Sequence, residues 1–131
     1  METIKVSTGS RPEFIDITLQ VEALVKKSKI KQGLAIIFCP HTTAALTINE
    51  NADYSVKQDI LGHLQKLVPK DKAYLHSEGN SDAHIKSSML GSSLNVIISN
   101  SSLALGTWQG IYFCEFDGPR ERQVFVKLIS D

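Results

Sequence analysis

The chain has 131 residues, 42% of them apolar and 21% charged, which suits one globular domain with room for a proper core. Fourteen Lys and Arg against fourteen Asp and Glu leave no net charge, so no global field draws in nucleic acid or an anionic membrane surface. No apolar run reaches the roughly 20 residues that cross a bilayer, and Met1-Glu2-Thr3-Ile4-Lys5 lacks the apolar core of a signal peptide. Cys39 and Cys114 both sit in apolar runs. They read as buried free thiols of a cytoplasmic protein, with a disulfide between them left open.

In chain order, residues 4–7 form a short strand that ends at Ser10-Arg11-Pro12. Residues 14–19 alternate apolar and polar, the mark of a half-buried strand. Residues 19–28 fit a short helix capped by Thr18 or Asp16. Lys26, Lys27, Lys29 and Lys31 crowd its end, where cations meet unpaired carbonyls; a phosphate site is the alternative. Residues 34–39 are a near-continuous apolar strand, expected to be covered on both faces. Residues 42–48 are again β-prone, so Pro40-His41 reads as a bulge or bend inside a strand pair.

From Asp53 the period becomes helical. Val56, Ile60, Leu64 and Leu67 form one stripe, widened by Leu61 and Val68, and Pro69 stops it. Lys70-Asp71-Lys72-Ala73 is a surface turn, and residues 74–84 are a polar ordered loop. A short helix over 83–90 follows, with Asp82 or Ser81 as its cap and Gly91 as its stop. Residues 93–99, 108–116 and 122–129 read as strands, the last two joined by the turn Asp117-Gly118-Pro119-Arg120. The order predicts an α+β fold with mostly antiparallel strands.

Residues 40–53 concentrate the chemistry: His41, Thr42, Thr43, Asn49, Glu50, Asn51 and Asp53 follow an apolar strand and precede a helix. Of four histidines, His63 lies off the apolar stripe and is set aside. His41, His76 and His84 all lie in polar stretches. Three imidazoles and an open position would make a zinc-type catalytic site, with Glu50, Glu78 or Asp82 as a partner or general base. The alternative is that the histidines only form hydrogen bonds or move protons. Asn49, Asn51 and Asp53 stand near a helix N-terminus that favours an anion, or bond locally to the backbone; Glu50 is not explained that way and is the expected acid or base. Lys86, Ser87 and Ser88, in a run ending at Ser93, resemble an anion cradle, or equally a helix with a glycine stop. Trp108, beside Gln109, is either core or a ring that stacks on a planar ligand. Glu115 is expected to be partly exposed or paired. Cys39 has the apolar neighbours of an inert thiol.

Taken together, Pro40-His41-Thr42-Thr43-Ala44, Ile48-Asn49-Glu50-Asn51-Ala52-Asp53, His76-Ser77-Glu78-Gly79-Asn80, Ala83-His84-Ile85-Lys86-Ser87-Ser88 and Gly106-Thr107-Trp108-Gln109-Gly110-Ile111 resemble the YjbQ-like family, also called the secondary thiamine-phosphate synthase family. The resemblance runs through essentially the whole chain and in order. It implies an antiparallel β-sandwich with two main helices and one short helix, a homotrimer, and sites at or near subunit boundaries. It also implies a weak activity that joins a hydroxymethylpyrimidine diphosphate to a thiazole phosphate with loss of pyrophosphate. The residues are compatible with it: Lys86, the 87–93 cradle and the start of the Asp53 helix for the diphosphate, and Trp108 for the pyrimidine. His41, His84 and Glu50 would position a divalent metal (zinc or magnesium) or move protons. A metal-dependent hydrolase of a phosphorylated small molecule and a non-catalytic anion-binding trimer are the other classes. All three readings need the imidazoles and Glu50 to converge on one pocket.

Overall fold

The computed structural model describes residues 1–71 and 73–131; Lys72, within the expected 70–73 turn, lies outside them. The elements are β1 (Glu2–Ser7), β2 (Glu13–Asp16), α1 (Thr18–Ser28), β3 (Gly33–Phe38), β4 (Ala44–Glu50), α2 (Tyr54–Leu67), α3 (Ser81–Leu90), β5 (Ser93–Ser99), β6 (Ser102–Leu103), β7 (Gln109–Glu115) and β8 (Glu121–Ser130). They build two antiparallel sheets, one ordered β1-β8-β3-β5-β6 and the other β2-β7-β4. The α+β class and the antiparallel pairing follow the sequence expectation.

The two sheets share a core. Ala35 and Ile37 of β3, Leu46 of β4, Phe113 of β7 and Val124 and Val126 of β8 meet Val21 and Val25 of α1 there, all buried. A second apolar cluster lies against the other side of β2-β7-β4: Phe14, Ala45, Tyr112 and Cys114 meet Ala83 of α3, with Ile60, Leu61 and Leu64 of α2 at its edge. Strand β7 is therefore wrapped on both faces, and every residue from Gly110 to Glu115 is buried. Burying each large apolar side chain there contributes about 1.5–3 kcal/mol.

Three boundaries differ from expectation for physical reasons. Residues 40–43 are not a bulge within one strand pair: β3 and β4 belong to different sheets, and this segment is the crossover. Strand β2 stops at Asp16 because its carboxylate accepts the N–H and hydroxyl of Thr18 at 2.9 and 2.5 Å, which starts α1. Trp108 precedes β7 in a turn and is 63% exposed, so it is not core.

Strand β3 was expected to be covered on both faces, and it is covered on one. Leu34, Ile36 and Phe38 point away from the core, and Phe38 is 42% exposed. Leu34 pairs with Ile97 and Ile129, and Phe38 with Phe125. Their alternation places all six on the outward face of the five-stranded sheet, where Ile97 is 63% exposed and Ile129 44%.

Candidate active site

The crossover at residues 40–43 is pinned at both ends. Cys39 N–H donates to the carbonyl of Ser92 at 2.8 Å, and the carbonyl of Thr43 accepts from Phe116 N–H at 3.1 Å. Thr43 is buried, and its hydroxyl oxygen accepts from Arg122 Nη2 at 2.9 Å. Arg122 of β8 also pairs with Glu115 of β7, at Nε–Oε1 2.8 Å and through Nη2 to Oε2. This ion pair is fully buried and ties one sheet to the other. Burial alone would raise the Glu115 carboxyl; Arg122, the Asp117 N–H and the Thr8 hydroxyl outweigh it and hold it below the usual carboxylate range.

Between these anchors, His41 and Thr42 serve different hollows. Thr42 lines a bowl of about 490 Å³ with His84, Ser87, Ser88, Gly91 and Ser92. Gly91 sits at φ +101°, a conformation that suits glycine, and its carbonyl accepts from Leu46 N–H at 3.1 Å, which sets α3 against β4. Ser87 donates to the carbonyl of Ala44 at 2.6 Å and Ser88 to that of His84 at 3.0 Å. The rings of His76 and His84 stand perpendicular, 5.4 Å between centroids, and His76 Nε2 lies 3.9 Å from a Glu78 carboxylate oxygen. A larger but open hollow of about 640 Å³ lies where α1 ends, between Lys29, Lys31 and Asp131; it holds no imidazole, and its lysines fit the solvated-face reading.

His41 lines a separate hollow of about 260 Å³ with Lys5, Glu121, Arg122 and Gln123. Its Nε2 is 2.9 Å from the backbone nitrogen of Gln123. Burial and the charge of Arg122 lower its pKa, so the ring is neutral at pH 7.

Two expected arrangements do not form within the chain. Lys86 does not belong to an anion cradle. Its ammonium is 2% exposed and turns inward, 3.2 Å from both Asp82 Oδ2 and Gln65 Oε1. A buried ammonium must be paired, and Asp82 at i−4 on α3 is the partner within reach. The three-imidazole metal site does not form within the chain either. His41 Nε2 is engaged by β8, and no group of three or more His, Cys, Asp or Glu among the described residues is placed to hold a metal ion. Within one chain the described residues do not gather into a zinc-type site, and no step below runs through a metal.

The remaining expected residues gather at the opposite end of β4. Seven residues at ~3.3 Å each separate its ends by roughly 20 Å, so Glu50 does not meet His41 or His84 within one chain. Asn49 Oδ1 accepts from Glu50 N–H at 2.7 Å, and Asn51 Nδ2 donates to Asp16 Oδ2 at 3.0 Å. Gly110 leaves room for Asn51, whose amide nitrogen would lie 2.3 Å from a Cβ there. Asp53 Oδ1 caps α2 by accepting from Ser55 N–H at 2.9 Å. Trp108 is tied here through its carbonyl, which accepts from Asn51 N–H at 3.0 Å, and Gln109 is paired with Glu50 across β7 and β4.

Sequence reasoning missed the ion network around Asp82 and Asp117. Arg11 reaches Asp82 at 3.0 Å and Asp117 at 3.2 Å, and Asp117 also accepts from Asn80 at 2.7 Å and Arg120 at 3.1 Å. One signal was available for its neighbour: Glu115 is a charge at the end of an otherwise apolar run in β7, which needs a buried partner.

The fold and the bowl define a class of small α+β proteins. Residues 2–131 match the family model described as UPF0047 protein YjbQ-like, and the chain belongs to that family. It is 54% identical over 127 residues to UPF0047 protein MJ1081 of Methanocaldococcus jannaschii, covering 97% of this chain and 92% of the relative. It is 51% identical over 131 residues to UPF0047 protein YugU of Bacillus subtilis, covering 99% of each. Among solved structures, a yjbq/UPF0047 family protein of Clostridium acetobutylicum superposes with a TM-score of 0.96 at 56% identity, covering 98% of this chain and 100% of that one. A conserved hypothetical protein of Thermus thermophilus gives 0.91 at 42% identity, covering 98% and 100%. No helix among the described residues is long and apolar enough to cross a membrane.

Proposed function

We propose that this chain is a small-molecule enzyme that acts on a phosphorylated substrate in the Thr42–His84 bowl. The reaction is of the secondary thiamine-phosphate synthase type, joining a hydroxymethylpyrimidine diphosphate to a thiazole phosphate and releasing pyrophosphate. The observation that carries the reading is His84 on the wall of a hydroxyl-bearing bowl of about 490 Å³, large enough for a phosphorylated heterocycle. His84 is the proton donor or acceptor, and Thr42, Ser88 and Ser92 bind the phosphoryl oxygens. The reaction type is the one that the sequence resemblance implies. Lys86 supports α3 from below and touches no substrate.

The Glu50–Trp108 end of β4 is remote from the bowl in one chain, so it contributes only if a neighbouring copy brings it. A homotrimer is part of this proposal, and the open apolar face of the five-stranded sheet supports it. The test supplies both substrates and magnesium to purified protein and follows thiamine phosphate. His84→Ala is expected to lose about 100-fold or more in rate, the range for removing a general acid or base. No product from wild type, or an unaltered rate in His84→Ala, removes the reading. Saturable binding of either substrate without turnover would leave the anion-binding trimer as the function.

A further inference from the structure

The hollow on the His41 side of the crossover is not used by the proposed reaction. It lies on the outward face of the five-stranded sheet, where β3 stops at Phe38 opposite Phe125 and leaves Gln123 of β8 with a strand only on its β1 side. The His41 imidazole takes the place of a strand on the other side. Its Nε2 lies 2.9 Å from the Gln123 nitrogen and 3.2 Å from the Gln123 carbonyl oxygen, and one ring nitrogen can serve only one of them. The N–H contact is shorter, and a bare backbone N–H is rarer and costlier than an under-satisfied carbonyl. Nε2 is therefore the acceptor, and the ring proton resides on Nδ1. The only polar side-chain atom that His41 can still offer is an N–H donor.

The other groups around the hollow complete the pattern. Lys5 and Gln123 face each other across β1 and β8 and bring an ammonium and a carboxamide. Arg122 is already matched by Glu115. Glu121 is the one carboxylate in the lining, and its oxygens lie 2.7 and 2.8 Å from the Ser7 hydroxyl. With Lys5 and Glu121 cancelling, the lining has no surplus charge for a dianion, and the donors it offers are the Lys5 ammonium, the His41 Nδ1–H and the Gln123 carboxamide N–H. We infer that the hollow binds a small singly charged oxyanion, a carboxylate or a dihydrogen phosphate, held by the Lys5 ammonium and the His41 Nδ1–H. The site is separate from the bowl: residues 40–43 form the wall between them, with His41 on one side and Thr42 on the other.

The experiment titrates the full chain with sodium acetate and, separately, with inorganic phosphate, and follows the His41 ring nitrogens and the Gln123 amide by long-range 1H–15N NMR. The free protein is expected to show the Nδ1-protonated tautomer, and either probe to shift Nδ1 saturably. Saturation by acetate alone identifies a carboxylate site and saturation by phosphate alone a phosphate site; both support the inference. Lys5→Ala is expected to weaken binding about fivefold, what one partly exposed charge contact is worth, and Gln123→Ala to weaken it as well. Ser88→Ala and Ser92→Ala, on the bowl, are expected to leave it unchanged. An Nε2-protonated ring, no saturable shift with either probe, or binding lost only in the serine variants overturns the inference. The last outcome would place the anion in the bowl and so support the proposed function.

Discussion

Glu115 and Arg122 show what one pair of residues can control. They are 0% and 4% exposed, one on each sheet, and they hold Thr8 and Thr43 in place around them. Glu115→Gln strands the guanidinium in the core and is expected to cost about 3–5 kcal/mol, read by urea unfolding, because an uncompensated buried charge is the penalty. Removing both charges as Glu115→Gln with Arg122→Met is expected to restore part of that loss. The pair also sets the acid response. Glu115, Asp82 and Asp117 all titrate below their ordinary values of 4.5, 3.8 and 3.8. The unfolded chain therefore binds more protons in that range, so the stability from these groups is complete above about pH 4.5 and is lost as pH falls through the lower folded values. His41, lowered from 6.5, adds a milder loss that begins as pH falls below that value. Unfolding midpoints from pH 7 to pH 3 should therefore show two declines, and His41→Gln should remove the upper one; one decline in wild type would contradict the assignment.

At the scale of elements, β4 decides which residues can cooperate. Its start is bonded to α3 and carries the bowl, and its end leads into the cap of α2. Asp53 belongs to that end, and its contact is with Ser55 of its own helix. Asp53→Ala is thus expected to cost about 1 kcal/mol of stability, the usual loss for an N-cap, while product formation at saturating substrate stays within twofold of wild type. A collapse of turnover with an unchanged melting temperature would return Asp53 to the substrate-binding residues. Helix α3 shows the converse. Its sequence spacing put Lys86, Ser87 and Ser88 in one polar run, but successive helical residues point about 100° apart. Lys86 faces the interior, Ser87 is bonded to β4, and Ser88 is exposed toward the bowl.

For the whole molecule, the outward face of the five-stranded sheet is the feature with the largest consequence. Four paired strands spaced ~4.8 Å apart, with ~3.3 Å rise per residue, make a plate on the order of 20 Å on each side. That is about 400 Å² in plan, half of the roughly 800 Å² per partner that a stable assembly buries, so the plate would form the centre of a larger contact. Large apolar residues in register on such a plate mark an association surface. Ile97→Lys is expected to break the proposed trimer while leaving the fold intact, since Ile97 faces outward; light scattering after size exclusion would show three copies for wild type and one for the variant. A wild-type monomer would remove the trimer. If a neighbouring copy supplies the Glu50 end of β4, the same variant should also lose turnover.

Much of this architecture was legible in the chain itself. Period-two runs marked β2 and β8, the apolar run Val96-Ile97-Ile98 marked β5, the stripe from Val56 to Val68 marked α2, and Gly91 marked the end of α3. Local physics governs those features: alternation, caps and turn residues act within a few positions. The burial of Glu115 and Arg122, the inward turn of Lys86 and the separation of Glu50 from the histidines were not legible, because each depends on which strands become neighbours. His41 and Thr42 are adjacent in sequence yet line different hollows, since β3 ends in one sheet and β4 begins in the other. Composition and periodicity alone determined the elements and their class; only tertiary structure decided which polar side chains share a pocket, because contacts between residues far apart along the chain are set by packing.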